Sequence, residues 1–166
     1  MREKVRGVIN ARSTSEIVYT SGTTGGLNLV AYSWGRANIR KGDLIVCTVM
    51  EHHSNLVPWQ LLVQEQDADL EFVAIDEQGR LDQQSYDVLL RTRPRLVAFH
   101  AVSNGIGPLT PAKTMIAKPH PPGSLVLING PQAAPHAHVT VQDPHPHLFV
   151  SARRPPPRPP TYPPPS

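Results

Sequence analysis

Proline divides this chain in two. Of its 19 prolines, only Pro58 and Pro94 fall in residues 1–107, and the other 17 crowd into the last 59. Proline lacks a backbone N–H and its ring clashes inside a helix, so regular structure is confined to where it is scarce. From Arg153 the sequence RRPPPRPPTYPPPS has no apolar periodicity, and it must be extended, polyproline-like or disordered. The expected folded unit is residues 1–150, one domain with a modest core. Residues 151–166 are expected to be a Pro/Arg-rich disordered tail.

Charge divides at the same place. The chain has 16 Lys and Arg against 13 Asp and Glu, and Arg153, Arg154 and Arg158 lie in the tail, which leaves 13 of each in residues 1–150. A nucleic-acid binder carries its basic excess on a folded face, so no nucleic-acid partner is expected. No apolar run approaches the roughly 18 residues of a membrane span, and no charged-then-apolar leader opens the chain. With the one cysteine, Cys47, there is neither a disulfide framework nor a thiolate metal cluster. The expectation is a cytoplasmic protein without a membrane contact.

Within residues 1–150, short apolar runs alternate with helical stretches. Expected strands are Ile17–Thr20, Leu44–Val49, Leu70–Ile75, Leu96–Val102, Leu125–Ile128 and Leu148–Val150. Runs such as LIVCTV and LVLI are continuously apolar, as strands covered on both faces must be. Between them the pattern predicts helices over Gly26–Asn38, Ser54–Glu65, Asp82–Arg91 and Pro111–Lys118, with Asp82 as an N-cap and Pro58 in a first turn. The alternation predicts an α/β fold, a three-layer α/β/α sandwich around a mostly parallel sheet. In such sheets ligands bind beyond the carboxyl ends of the strands, so the loops there carry the chemistry.

Those loops are polar. Ser21-Gly22-Thr23-Thr24-Gly25-Gly26 precedes a helix and has the glycines and hydroxyls of a phosphate cradle, though an ordinary Gly-rich turn has them too. Met50-Glu51-His52-His53-Ser54-Asn55 follows the second strand. A histidine there can stack on a planar ligand, bind metal or move a proton, or be a plain surface histidine. Ser103-Asn104-Gly105 and Asn129-Gly130-Pro131-Gln132 follow the fourth and fifth.

Taken in order, TSGTTGGLNLVAYSWGRANI, VMEHHSNLVPWQ, VSNGIG and LVLINGPQAAPH resemble successive motifs of the group II cysteine desulfurases. These are pyridoxal-phosphate enzymes of the class V aminotransferase group. The resemblance covers nearly all of residues 1–150 and implies part of the large domain of a fold-type I enzyme. It implies that Thr23 and Thr24 hold the cofactor phosphate and that His52 stacks on the pyridine ring and assists proton transfer. It implies too that Asn104 sits near the ring hydroxyl and the substrate, that Gln132 hydrogen-bonds the same ring oxygen, that Asn129 takes the place of the residue serving the ring nitrogen, and that Ser151 lies near the phosphate. The implied reaction takes sulfur from L-cysteine, leaving L-alanine and an enzyme persulfide. A homodimer and a sulfur-acceptor protein for iron–sulfur assembly are the implied partners.

The departures fall on the chemistry. Where the family has Asp-Gly-Ala-Gln this chain has Asn129-Gly130-Pro131-Gln132, and a neutral amide cannot pair with a pyridinium. The Ser-Gly-His-Lys motif is Ser151-Ala152-Arg153-Arg154, so a permanently protonated guanidinium stands where the family attaches its cofactor. Covalent attachment is not possible there. The persulfide-forming cysteine belongs to the family's C-terminal domain, and Cys47 reads as a small core side chain. The expectation is a desulfurase fragment with a corrupted or frameshifted 3′ end, inactive by itself.

Other readings rest on less. Tyr19-Thr20-Ser21-Gly22-Thr23-Thr24-Gly25 looks like the phosphate loop of adenylate-forming enzymes, but Gly26-Leu27-Asn28 follows where they have Pro-Lys. The tail fits proline-rich ligand patterns that its composition generates unaided. His136-x-His138 and His145-x-His147 lack an acid or thiolate partner beyond Asp143, and no metal site is expected.

Overall fold

The computed structural model describes residues 1–100, 115, 118, 120–130 and 147–151. The expected sites Asn104 and Gln132, most of the expected helix 111–118 and residues 152–166 lie outside them. The chain opens with α1 (Arg2–Ile9) and a 3-10 turn (Thr14–Glu16). Next come α2 (Gly22–Val30), a π-helical turn (Ala31–Gly35) and α3 (Arg36–Asn38), which run on as one rod. Then follow β1 (Leu44–Thr48), a second 3-10 turn (His53–Asn55), α4 (Val57–Gln66), β2 (Asp69–Val73), α5 (Gln83–Arg91), β3 (Leu96–His100), β4 (Leu125–Gly130) and β5 (Leu148–Ser151).

The strands form one sheet in the order β2-β1-β3-β4-β5, and every neighbouring pair is parallel. Alternate residues divide between its faces, as a pleated strand requires. Ile45, Cys47, Leu96, Ala98, Leu127 and Val150 meet Leu27 and Ala31 of the first rod and Trp59 and Leu62 of α4. Val46, Val97, Phe99, Val126 and Ile128 meet Tyr86 and Leu90 of α5, with Met115. Helices on both faces of a parallel sheet make the three-layer sandwich that the alternation implied. Asp82 caps α5 by accepting a hydrogen bond from the Gln84 N–H (2.8 Å), and Pro58 sits in the first turn of α4.

One expected strand is absent. Ile17–Thr20 joins no strand among the described residues, and local bonds occupy its ends. Ile17 N–H donates to the Thr14 carbonyl (3.2 Å), and the Thr20 hydroxyl donates to the Gly22 carbonyl (2.9 Å). Ile17 is buried, whereas Val18 and Tyr19 are exposed, so the apolar run reflects one anchor rather than a covered strand. β2 also stops two residues early. Beyond it, the Ala74 N–H donates to the Ser85 hydroxyl (3.2 Å), and Ile75 bridges antiparallel to Leu81. α1 was not expected, since it buries no residue. Among the described residues, no helix is long and apolar enough to cross a membrane.

Gly26 shows how tightly the first rod lies on the sheet. A Cβ added there would stand 2.7 Å from Val150 Cγ1, on a β-branched side chain that cannot easily turn away. Overpacking of this kind costs about 1–3 kcal/mol, against about 1 kcal/mol that alanine gains over glycine in a helix. Gly26→Ala is therefore expected to lower the urea midpoint despite the better helix former. A raised midpoint would show that α2 and β5 do not pack closely.

Candidate functional site

All five strands point their carboxyl ends the same way, and the candidate residues gather there. In register across the sheet, His100 of β3 lies beside Asn129 of β4, and Asn129 lies beside Val150 of β5. Val150 is the residue against which Gly26 of α2 packs. α2 thus comes down beside β5, and it also contacts the His53–Asn55 turn that follows β1. The result is an arc. It runs from the amino end of α2, over Val150, Asn129 and His100, to the loop that carries His52.

The amino end of α2 offers donors. The first N–H groups of any helix have no partner within it and carry the positive end of its dipole. The Gly22 N–H donates to the Thr20 carbonyl (2.9 Å), but the Ser21 side chain, at the N-cap, takes up none of the others, so the N–H groups of Thr23 and Thr24 are the ones placed to meet an external acceptor. Thr23 is half-buried and Thr24 exposed at this end, and both bring hydroxyls to the same spot. Ser151, at the carboxyl end of β5, is exposed on the strand that α2 touches. Nests of this composition bind phosphate-like anions.

The His52 loop is held from beneath by Glu51. Glu51 Oε1 accepts from the Thr48 hydroxyl (2.6 Å) and from the His100 backbone N–H (3.0 Å). Its Oε2 accepts from Asn55 Nδ2 (2.6 Å), and Asn55 Oδ1 accepts from Trp59 Nε1 (3.2 Å). Thr48, Asn55 and Trp59 are buried. One carboxylate therefore joins β1, β3 and the start of α4. Above it, His52 Nδ1 accepts the Ser54 N–H (3.2 Å), which places the ring proton of neutral His52 on Nε2 and leaves an exposed ring facing outward.

Sequence reasoning assigned His52 but gave no role to Glu51, Asn55, Trp59 or His100. MEHHSN contained part of the signal, namely a carboxylate and an amide flanking the histidines. His100 carried none, because its place depends on which strands lie side by side. Its Nδ1 is buried without a partner, and burial pushes its imidazole below the ordinary histidine range, with the Glu51 charge opposing. Cys47 lies fully buried inside β1, where burial, then the Glu51 charge, pushes its thiol well up. It is core, not nucleophile.

These residues fit a flat, phosphorylated aromatic ligand: an anion cradle at one end, an exposed imidazole for its ring and a buried amide between. Among the described residues, no lysine stands at this edge to attach such a ligand through an amine. Lys41 precedes β1 and pairs with Asp67 (2.5 Å). Lys118 precedes β4, pairs with Asp87 (2.5 Å) and lies over the Tyr86 ring. Lys4 is exposed on α1, and Lys113 lies outside the described residues. Among the described residues, no group of three His, Cys, Asp or Glu could hold a metal ion. His147 instead accepts the Val126 N–H on its Nδ1 (3.0 Å).

Comparison with known proteins gives one consistent result. The family model described as aminotransferase class-V matches residues 1–152. A cysteine desulfurase of Synechococcus elongatus is 47% identical over 141 residues, 85% of this chain and 22% of that protein. Among solved structures, the apo cysteine desulfurase of Thermococcus onnurineus NA1 superposes with a TM-score of 0.77 at 35% identity, covering 89% of this chain and 36% of that one. The cysteine desulfurase CsdA of Escherichia coli gives a TM-score of 0.77 at 33% identity, covering 89% and 37%. The chain thus spans between about a fifth and two-fifths of the relatives it matches.

Proposed function

The chain belongs to the class-V aminotransferase family, and on that premise we propose that it is the pyridoxal-phosphate-binding portion of a cysteine desulfurase of the group II kind. Residues 1–150 form part of the cofactor-binding large domain. The substrate is L-cysteine, and the whole enzyme acts as a homodimer that hands sulfur to an acceptor protein. The observation that supports this reading best is the arc itself, in which an anion cradle, a buried amide and an exposed imidazole converge at one edge of a parallel sheet.

Each residue has a physical task. Thr23 and Thr24, with the first-turn N–H groups of α2, hold the phosphate; Ser151 lies near it at the end of β5. His52 covers the ring face and, with its Nε2, can hold or move a proton there. Asn129 meets the ring nitrogen; Asn104 and Gln132 match the family's positions for binding the ring oxygen and lie outside the described residues. The cofactor, when bound, supplies an electron sink for charge that develops on a substrate. This chain holds it without a covalent bond, because Arg154 occupies the attachment position.

Binding of pyridoxal phosphate, followed by absorbance and by quenching of Trp fluorescence, tests the reading. A hydrogen bond to a charged group contributes about 1.5–3 kcal/mol, so Thr23→Val and Thr24→Val are each expected to weaken binding about tenfold or more. Pyridoxal, which lacks the phosphate, should bind weakly and should not distinguish the variants from the parent. Equal affinity for pyridoxal and its phosphate would sink the assignment of the cradle.

A further inference from the structure

We propose that this site holds the aromatic ring of its phosphorylated ligand uncharged, as a neutral pyridine whose nitrogen accepts a hydrogen bond from the Asn129 side chain. The proposal rests on the reading above for the ligand's class and on the structure for the charge.

Asn129 lies within β4, flanked on both sides by parallel strands, and is 3% exposed. Its register partners are His100 and Val150, so its side chain emerges on the face that α2 and α4 cover. A pyridinium buried there needs a counter-charge, because transferring a cation out of water is costly unless it is paired. Among the described residues, the neighbours do not supply one. Val150 is apolar. His100 has its Nδ1 buried and unpartnered, so the protonated ring would bury an unpaired N–H. Its neutral form, with the proton on Nε2, fits this environment best.

Glu51 is the carboxylate that reaches His100, and it is already spent. Its two oxygens accept the Thr48 hydroxyl, the His100 backbone N–H and the Asn55 amide. Turning an oxygen toward a ligand would leave at least one of those donors without a partner. The row across the sheet is thus amide, neutral imidazole and isopropyl. An amide Nδ2–H pairs well with the lone pair of a neutral pyridine, and desolvation then favours the uncharged ring. A chain that holds its ligand in this state binds a phosphorylated pyridine without activating it.

Pyridoxine 5′-phosphate labelled with nitrogen-15 in the ring tests this, since it has no aldehyde to react with lysines. Bound to the full chain at neutral pH, its ring resonance is expected at the position of an unprotonated pyridine, calibrated by titrating the free ligand. Asn129→Asp should move that resonance to the pyridinium position. A pyridinium resonance in the parent chain overturns the proposal and leaves the functional reading intact. Absence of any binding overturns both. The parent spectrum decides by itself, whether or not the Asp variant folds.

Discussion

Glu51→Ala is expected to cost about 3 kcal/mol or more of stability, among the largest effects of any substitution at the carboxyl edge. The carboxylate accepts three hydrogen bonds, from the Thr48 hydroxyl, the His100 N–H and Asn55 Nδ2. Two of those donor residues are buried, Thr48 at 3% and Asn55 at 0% exposure. A buried donor left without an acceptor costs about 1–3 kcal/mol, so removing the shared acceptor reaches several kcal/mol. Since small domains are stable by only about 5–15 kcal/mol, such a loss brings this one near unfolding. Glu51→Gln separates charge from connectivity. Its Oε1 keeps Thr48 and the His100 N–H, while its Nε2 confronts Asn55 Nδ2. Asn55 must then turn over, and Trp59 Nε1 loses its acceptor. The expected cost is about 1–2 kcal/mol. Urea titration of both variants, read by Trp fluorescence, checks the order; an Ala variant within 0.5 kcal/mol of the parent would show that the network supports nothing.

That network also marks where sequence reading stops. β1, β3 and β4 were legible because LIVCT, LVAFH and LVLI are covered on both faces, and continuous apolarity is then forced on the sequence. Asp82 and Pro58 were legible because caps and first turns depend on neighbours in sequence. Ile17–Thr20 was misread because β content shows that a run can pair, not that a partner strand exists. α2 starts four residues before the periodic pattern does. Gly22, Thr23, Thr24 and Gly25 are weak helix formers, and packing of the rod against Val150 outweighs their propensity. Among the site residues, Thr23, Thr24 and His52 stood in recognisable loops. His100 depended on a bond to Glu51 across 49 positions and on the pairing of β3 with β4. Topology decides such contacts, and no local pattern records them.

The second large effect concerns turnover. Mixed with pyridoxal phosphate and L-cysteine, this chain is expected to release sulfide no faster than the cofactor does by itself. Arg154 stands where the family's motif has its lysine, and a guanidinium stays protonated at any pH at which the protein is folded. It can neither attack an aldehyde nor take up a proton. Loss of a general base alone removes about 10²–10⁴-fold in rate. In the proposed placement Asn129 adds to the loss, since an amide at the ring nitrogen does not favour the protonated state that draws charge from a substrate. The deficits act on one reaction and together leave nothing measurable above background. Arg154→Lys separates them. It is expected to create a borohydride-reducible adduct at residue 154, found as a mass increase on the peptide carrying it, without restoring sulfide release, because Asn129 remains and Cys47, fully buried in β1, cannot serve as the thiol that takes the sulfur. The parent chain should give no adduct at that position. Sulfide from the parent above the cofactor-only control would mean that another residue does the work assigned to the lysine, and Asn129→Asp would then be the next variant to make.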